Sequence, residues 1–243
     1  MIRKIKQALA RVHSVRSIVG GRNPWFNIFH FQYLASYQHN AWLKTVLPGL
    51  SGALLDFGCG AQPYRELTSA SHYLGLDIPE CASADIHVRD GWQIPLADHS
   101  CDGLMSTQAI EHVPDLNKVV AEWVRVLKPG SPVVVTMPFM FHLHGAPFDF
   151  RRFTEYGITK YFSDRGFEVV ETQRFGGIGS YLVVGFQDAV ESQPGAAWVL
   201  LRVLTLPIFV LYTPLLNLFG AVVDRIDRSN SFYTSIGVRM VSK

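Results

Sequence analysis

The chain is predicted to fold as an α/β protein with a doubly wound, mostly parallel sheet. Three observations predict it: short apolar runs alternate with segments of helical periodicity, the run at 54–57 leads into Asp-x-Gly-x-Gly (Asp56, Gly58, Gly60), and the next apolar run ends in a second acid, Asp77. Alternation of this kind packs helices on both faces of a sheet, which opens its binding crevice beyond the C-terminal ends of the strands. Glycine at 58 and 60 lets the backbone turn sharply and lie against a ligand without a Cβ in the way, and an acid at a strand end can accept from ribose hydroxyls. The pair points to an adenosine-type cofactor, although a lone Gly-x-Gly also describes a plain turn between strand and helix.

Taken in order, strands are expected at 52–57, 72–77, 84–88, 101–106 and 132–137, with a sixth at 167–175 and a seventh at 235–242 pairing antiparallel at one edge. The segment 114–128 has Pro114 at a helix start, apolar residues at helical spacing and Lys128-Pro129-Gly130 as a stop. Thr154 has the character of an N-cap for a further helix. Only Ile78 to Ser83 separate the second and third strands, whereas a parallel crossover normally needs ~10–12 residues. Either the usual helix there is vestigial or the third strand is misplaced.

A nicotinamide fingerprint would put a third glycine at position 63, where this chain has Pro63. Asp56, two residues before the first glycine, would repel a pyrophosphate and suits a ligand with a positive end, such as the amino group or sulfonium of S-adenosylmethionine. Four blocks then carry a family resemblance: LLDFGCGAQPY (54–64), YLGLDIPE (73–80), RDGWQIPLADHSCDGLMSTQAIEHV (89–113) and WVRVLKPGSPVVVTMP (123–138). In order and spacing they resemble the class I S-adenosylmethionine-dependent methyltransferases, type 11 domain family, the group that includes ubiquinone and menaquinone biosynthesis enzymes. The resemblance covers roughly residues 51–175 and the last ten, and implies a seven-stranded Rossmann-like methyltransferase fold.

Carried over by position, the resemblance implies that Gly58 and Gly60 pass the methionine part of the cofactor, Asp56 steers its amino group and Asp77 holds the ribose diol. It further implies that Asp90 accepts from the adenine amine with the Gly91 N–H nearby, and that Cys59, Tyr64, Ile78 and Gln108 also line the cofactor. Each acid taken singly could equally be a solvated loop carboxylate.

Two segments reach the crevice, Gln108-Ala109-Ile110-Glu111-His112 and Phe141 to Thr154. The second resembles a His-Gly-x-Pro-x-Asp-Phe-x-Arg-(aromatic)-Thr signature of one branch of the family. Methyl transfer needs an aligned nucleophile and, for a hydroxyl or acidic carbon, a base; histidine is the natural base near neutral pH. His144 is the first choice and His112 the second, with Asp149 orienting the histidine or a substrate hydroxyl and Arg152 holding an anionic group. The bland alternatives are that His112 caps its loop and that Asp149 with Arg152 is a structural ion pair. His142 and His144 with Asp149 could chelate a metal, but a third clear ligand and its supporting shell are not evident, so no metal is expected.

Composition adds a second theme. Of 243 residues 48% are hydrophobic, high for a soluble enzyme of this length. The three cysteines are odd in number and unevenly spaced, which fits a reducing cytoplasm and no disulfide framework. Residues 1–55 carry +7, Asp56 being the first acid in the chain. Ile2, Ile5, Leu9, Val12, Val15 and Val19 repeat at helical spacing, as in an amphipathic helix lying on an anionic membrane or an ordinary helix packed on the domain. No unbroken apolar core near the start marks a secretory signal, and no nucleic-acid-binding motif accompanies the basic stretch.

From Val203 to Val223 there is no charge, a length that matches a membrane span. The strands expected on either side put both ends on one side of any membrane, and Pro207 and Pro214 are expected to break the helix into a hairpin of two short helices. Such a hairpin would dip into one leaflet, lie over the active site, or pack as a cap against the domain or a second copy of the chain. Three parts result: a basic amphipathic N-terminal helical segment (1–50), a methyltransferase core (51–175 and 231–243) and an apolar helical insert (176–230). The expected function is metal-independent O- or C-methylation, by a cytoplasmic protein peripheral to the membrane, of a membrane-associated acceptor such as a lipid-linked glycan or quinone-type precursor. A small soluble acceptor, or a non-catalytic methyltransferase-like membrane scaffold, is the alternative.

Overall fold

The computed structural model describes residues 27–88, 93–193, 195–229 and 231–243, so the basic segment 1–20 and the expected adenine contacts Asp90 and Gly91 lie outside the described residues. The described residues divide into two compact units, one within 41–139, 143–174 and 235–243, the other within 27–40, 140–142 and 175–234.

The first unit is built on one sheet. Its strands are β1 (Ser51–Phe57), β2 (Ser69–Asp77), β3 (Ile86–His87), β4 (Gly103–Thr107), β5 (Pro132–Pro138), β6 (Phe167–Phe175) and β7 (Ser235–Ser242), in the order β3-β2-β1-β4-β5-β7-β6. β1 runs parallel to β2 and β4, β2 to β3, and β4 to β5. By contrast β7 turns against its neighbour, pairing antiparallel with β5 from Pro132↔Val241 to Pro138↔Ser235. The central strands are buried on both faces, which is why they read as continuous apolar runs rather than as alternation.

The short connection after β2 closes without a helix. Asp85 N–H donates to Gly75 O at 2.8 Å, Val88 N–H to Asp77 O at 3.0 Å, and the Asp85 carboxylate accepts from Gly75 N–H at 2.8 Å. The chain is thus tied straight back along β2, and the third strand shrinks from the expected 84–88 to two residues.

The helix expected at 114–128 runs as α2 (Leu116–Val126), with α1 (Tyr33–Val46) before the sheet and α3 (Glu155–Ser163) after β5. Asp115 caps α2 by accepting from Lys118 N–H at 3.3 Å, and Thr154 caps α3 by accepting from Gly157 N–H at 3.1 Å. Leu116, Val119, Val120, Trp123 and Val126 form the buried stripe of α2. Trp123 meets the edge of Phe57 at 5.3 Å and stacks on Phe162 of α3 at 6.2 Å, and Phe162 meets Phe167 at 5.8 Å. Each such burial is worth about 1.5–3 kcal/mol, so this cluster locks α2 and α3 to one face of the sheet.

The second unit is helical: α4 (Ile178–Ser192), α5 (Ala196–Leu204) and α6 (Leu206–Ile226). A Cβ on Gly179 would stand 2.1 Å from Gly220 O, so α4 and α6 touch backbone to backbone there. The start of α4 is satisfied by acids from the end of α6 and just beyond it: Asp224 accepts from Ser180 N–H at 2.8 Å and from its hydroxyl, and Asp227 accepts from Ile178 N–H at 3.1 Å. Of the two expected breaks, one falls at Thr205, between α5 and α6 and just before Pro207, whereas Pro214 lies inside α6, which continues as one helix of 21 residues. Pro207 sits in the first turn, where its missing N–H has no intrahelical acceptor, and Pro214 costs one bond within a long helix.

Candidate active site

The geometry starts at the C-terminal end of β1. Gly58 adopts φ +72°, and a Cβ there would lie 2.3 Å from Ala109 Cβ, so the loop after β1 passes the loop after β4 with no room for a side chain. Gly60, at φ +49°, has open space where a Cβ would be. The loop is moored to β2: Gly58 N–H and Cys59 N–H both donate to Leu76 O, at 2.8 and 3.2 Å. Asp77 closes the turn, accepting from Gly60 N–H at 2.8 Å and from Ile78 N–H at 2.7 Å.

Asp56 is only 1% exposed. Its Oδ2 accepts from the Tyr73 hydroxyl, while its Oδ1 is buried with no hydrogen-bond partner among the described residues. Burial pushes its carboxyl up to about 7, against the lowering effect of the Tyr73 bond, with Asp77 adding repulsion. An orphaned carboxylate oxygen beside a glycine loop suits a bound cation such as an ammonium group. Tyr73, absent from the sequence-based site, holds the other oxygen; only its place on the neighbouring strand, opposite Leu54, reveals this. Tyr64 and Cys59 are buried beside the loop, and burial raises both above their ordinary ranges.

Two further loops carry polar groups beyond β4 and β5. Gln108 takes φ +52°, with its N–H on Thr136 O at 2.9 Å and its side-chain amide 3.3 Å from the Thr136 hydroxyl. Ile110–His112 then form a 3₁₀ turn whose position is fixed by Arg151. That guanidinium donates to the carbonyls of Ile110 (2.7 Å), Pro114 (2.9 Å) and Val113, so Arg151 braces the turn rather than presenting a charge to an acceptor.

His112 and His144 come together as expected for loops of one crevice, their rings 4.9 Å apart edge to face. His112 Nδ1 meets Phe148 O at 2.5 Å. His144 Nδ1 lies 3.4 Å from Asp149 Oδ2 and 3.5 Å from an Arg152 nitrogen, and its backbone N–H donates to the same Asp149 oxygen at 3.0 Å. Arg152 grips Asp149 at 2.5 and 2.9 Å and, with burial opposing, holds its carboxyl well below the usual range. Asp149 is thus held by Arg152 and tied to the His144 backbone, and both members of the pair stand within 3.5 Å of His144 Nδ1.

The residue that sequence reasoning passed over is Glu111. It is fully buried, both its carboxylate oxygens have no hydrogen-bond partner among the described residues, and its Oε1 lies 3.7 Å from His112 Nε2 and 3.8 Å from His144 Nε2. The expectation of no metal rests on His142, His144 and Asp149; the side chains that come together are instead Glu111, His112 and His144, whose potential ligand atoms all lie within 4.8 Å of one another. His142 belongs to the other unit, where its Nδ1 pairs with Asp188 at 3.0 Å. An acid inside the apolar stretch Ala109–Val113 was the available signal.

Residues 55–135 match the family model described as methyltransferase domain. A protein of Mycolicibacterium smegmatis named a probable S-adenosylmethionine-dependent methyltransferase is 30% identical over 136 residues, covering 49% of this chain and 53% of that protein. A sterol 24-C-methyltransferase of Gibberella zeae is 34% identical over 120 residues, 42% of this chain and 30% of the enzyme. The chain therefore spans about half, or less, of the relatives it matches. Among solved structures, phosphoethanolamine N-methyltransferase 2 of Haemonchus contortus in complex with S-adenosyl-L-methionine superposes with a TM-score of 0.52 at 16% identity, over 93% of this chain and 56% of that one. Residues 55–135, from β1 into β5, thus carry the glycine loop and match the methyltransferase-domain model, and the sheet order is the fold that the chain shares with that solved structure.

Proposed function

We propose that the protein transfers a methyl group from S-adenosylmethionine to an oxygen or an acidic carbon of an apolar, membrane-associated acceptor. The observation that carries the chemistry is the pairing of two polar features at the C-terminal ends of adjacent parallel strands: the orphaned Asp56 carboxylate with its glycine loop, and the Glu111, His112 and His144 cluster. When bound, S-adenosylmethionine supplies an electrophilic methyl carbon, so that the acceptor's electron pair forms the new bond while the carbon–sulfur pair returns to sulfur, leaving a neutral thioether. Asp56 holds the ammonium end, the Gly58–Gly60 loop lets the backbone lie close, and Asp77 meets the ribose diol. The Glu111, His112 and His144 cluster stands where the acceptor's proton is lost, with Asp149 3.4 Å from His144 Nδ1.

The membrane part of the reading rests on α6. Ile208, Leu211, Leu215, Leu218, Phe219, Val222 and Ile226 are exposed and recur at helical spacing, while the buried face of the same helix carries Thr213 and Asn217. Asn217 is wholly buried and donates to Ile28 O at 2.6 Å and His30 O at 3.0 Å. A helix with polar residues inside and an apolar stripe outside is reversed relative to a water-facing one. Among the described residues no helix is long and apolar enough to cross a membrane, so shallow docking, aided by the +7 charge of residues 1–55, is the mode this surface supports. A relative named for sterol methylation supports an apolar lipid as acceptor class, with lipid-linked glycans and quinone-type precursors the nearest chemical kin.

Two measurements test this. Calorimetric titration with S-adenosylhomocysteine is expected to show saturable binding that Asp77→Ala weakens; no binding removes the enzymatic reading. Flotation with vesicles containing anionic lipid is expected to carry the protein upward, and less so after Leu211→Glu with Leu215→Glu; a protein that stays wholly in the soluble fraction removes the membrane reading.

A further inference from the structure

We propose that Glu111, His112 and His144 form a binding site for one divalent transition-metal ion at the acceptor end of the domain. Each piece of the arrangement is costly without a cation. Glu111 is fully buried, and neither of its oxygens has a hydrogen-bond partner among the described residues. A carboxylate buried without hydrogen bonds calls for positive charge beside it, because its desolvation costs several kcal/mol or more. The nearest groups are two imidazole Nε2 atoms at 3.7 and 3.8 Å from Oε1, beyond hydrogen-bond reach and slightly wider than the spacing of ligands around a shared ion. Tetrahedral bonds of ~2.0–2.1 Å place ligand atoms about 3.4 Å apart, so the two carboxylate–imidazole spacings need close by only a few tenths of an ångström, and the three potential ligand atoms all lie within 4.8 Å of one another.

The outer shell points the same way. A metal-ligating histidine almost always donates its other ring N–H to a carbonyl or carboxylate, which fixes the tautomer and aims the bare nitrogen at the metal. His112 Nδ1 is on Phe148 O at 2.5 Å, while His144 Nδ1 lies between the Asp149 carboxylate at 3.4 Å and an Arg152 nitrogen at 3.5 Å. Asp149 is itself fixed by Arg152, and the turn carrying Glu111 and His112 by Arg151, which removes slack from all three ligands. The Phe150 N–H donates to the Glu111 backbone carbonyl at 2.9 Å and ties the two ligand loops together.

Two imidazoles and one carboxylate suit Zn²⁺, Co²⁺, Mn²⁺ or Fe²⁺ rather than the all-oxygen ions, and three protein ligands leave a position open. Both histidines are partly exposed, at 33% and 28% of their side chains, so an ion can enter from solvent. An acceptor hydroxyl coordinated in the open position would lose its proton to water more readily, becoming the nucleophile for the methyl group. This last step rests on the methyl-transfer reading above; the metal site itself does not.

The test uses the full chain, stripped with a chelator, dialysed and titrated with Co²⁺ by visible absorption and with Zn²⁺ by calorimetry. One equivalent per chain is expected, with the d–d bands of a four- or five-coordinate Co²⁺ site. Glu111→Gln, which keeps the side-chain volume, and His144→Ala should each weaken binding at least tenfold, whereas His142→Ala, outside the cluster, should leave it unchanged. Absence of saturable stoichiometric binding in the unsubstituted chain overturns the proposal, as does binding indifferent to both cluster variants. S-adenosylhomocysteine titration of the same samples separates the two readings: a chain that takes the nucleoside but no metal loses only the metal site, and one that takes metal alone loses only the methyl-transfer reading.

Discussion

Replacing Asp56 with asparagine should stabilise the ligand-free protein and weaken its hold on the cofactor. In the folded chain, burial raises the Asp56 carboxyl from 3.8 to about 7, and its Oδ1 has no hydrogen-bond partner among the described residues. Because the folded state holds this proton more tightly than the unfolded chain, stability is lost as pH rises from about 4 to about 7 and is level above that. At ~1.4 kcal/mol per unit, the cost of ionising Asp56 in the fold comes to about 2 kcal/mol near pH 5.5 and about 4 kcal/mol at pH 8. Asparagine keeps an acceptor for the Tyr73 hydroxyl and carries no charge, so urea unfolding should show Asp56→Asn more stable than the parent, by a margin that grows between those two pH values. The same change removes a charge-assisted bond to the cofactor's ammonium, worth about 1.5–3 kcal/mol, and S-adenosylhomocysteine affinity should fall tenfold to a hundredfold. In the unsubstituted chain that affinity should itself drop toward tenfold per pH unit below 7, since binding must expel the proton. A variant no more stable than the parent at pH 8, or a difference that does not change with pH, would refute the placing of an unpaired charge at this position.

Other outcomes follow from the same geometry. Gly58→Ala puts a methyl 2.3 Å from Ala109 Cβ on a left-handed backbone, and thermal unfolding should show a loss of about 1–3 kcal/mol together with weaker nucleoside binding. Arg151→Ala removes the brace on the Ile110–Pro114 turn, so it should lower stability and metal binding together; a selective rise in KM for an anionic acceptor would instead assign Arg151 to the substrate. His144→Ala should cut kcat with a defined acceptor by about 10²–10⁴ while leaving S-adenosylhomocysteine affinity intact, and an unchanged rate would remove His144 from the chemistry. Trp123→Ala, at the centre of the Phe57, Phe162 and Phe167 cluster, should cost about 3–5 kcal/mol in urea unfolding with no effect specific to the site.

The sheet and the cofactor end are legible along the chain. Layered strands and helices follow from short apolar runs separated by helical segments, and the loop after β1 is written locally, because the turn at Gly58 and Gly60 is a property of their own backbone and Asp56 stands within five residues of both. Helix caps at Asp115 and Thr154 are similarly local, each satisfied within three residues. The acceptor end, by contrast, took shape only on folding. Glu111 and His112 stand 33 and 32 residues before His144, on loops of neighbouring strands, and nothing in residue type tells a buried, unpaired acid from a solvated one. Likewise Arg151 and Arg152, adjacent and chemically alike, separate only in space, one taking backbone carbonyls and the other Asp149. Pro214 shows the same limit from the other side, since a residue that disfavours helix by itself is carried inside α6 by the helical turns around it. Features set by short-range covalent and hydrogen-bond geometry can be read from neighbouring residues; those set by burial and by the meeting of distant loops exist only once the chain has folded.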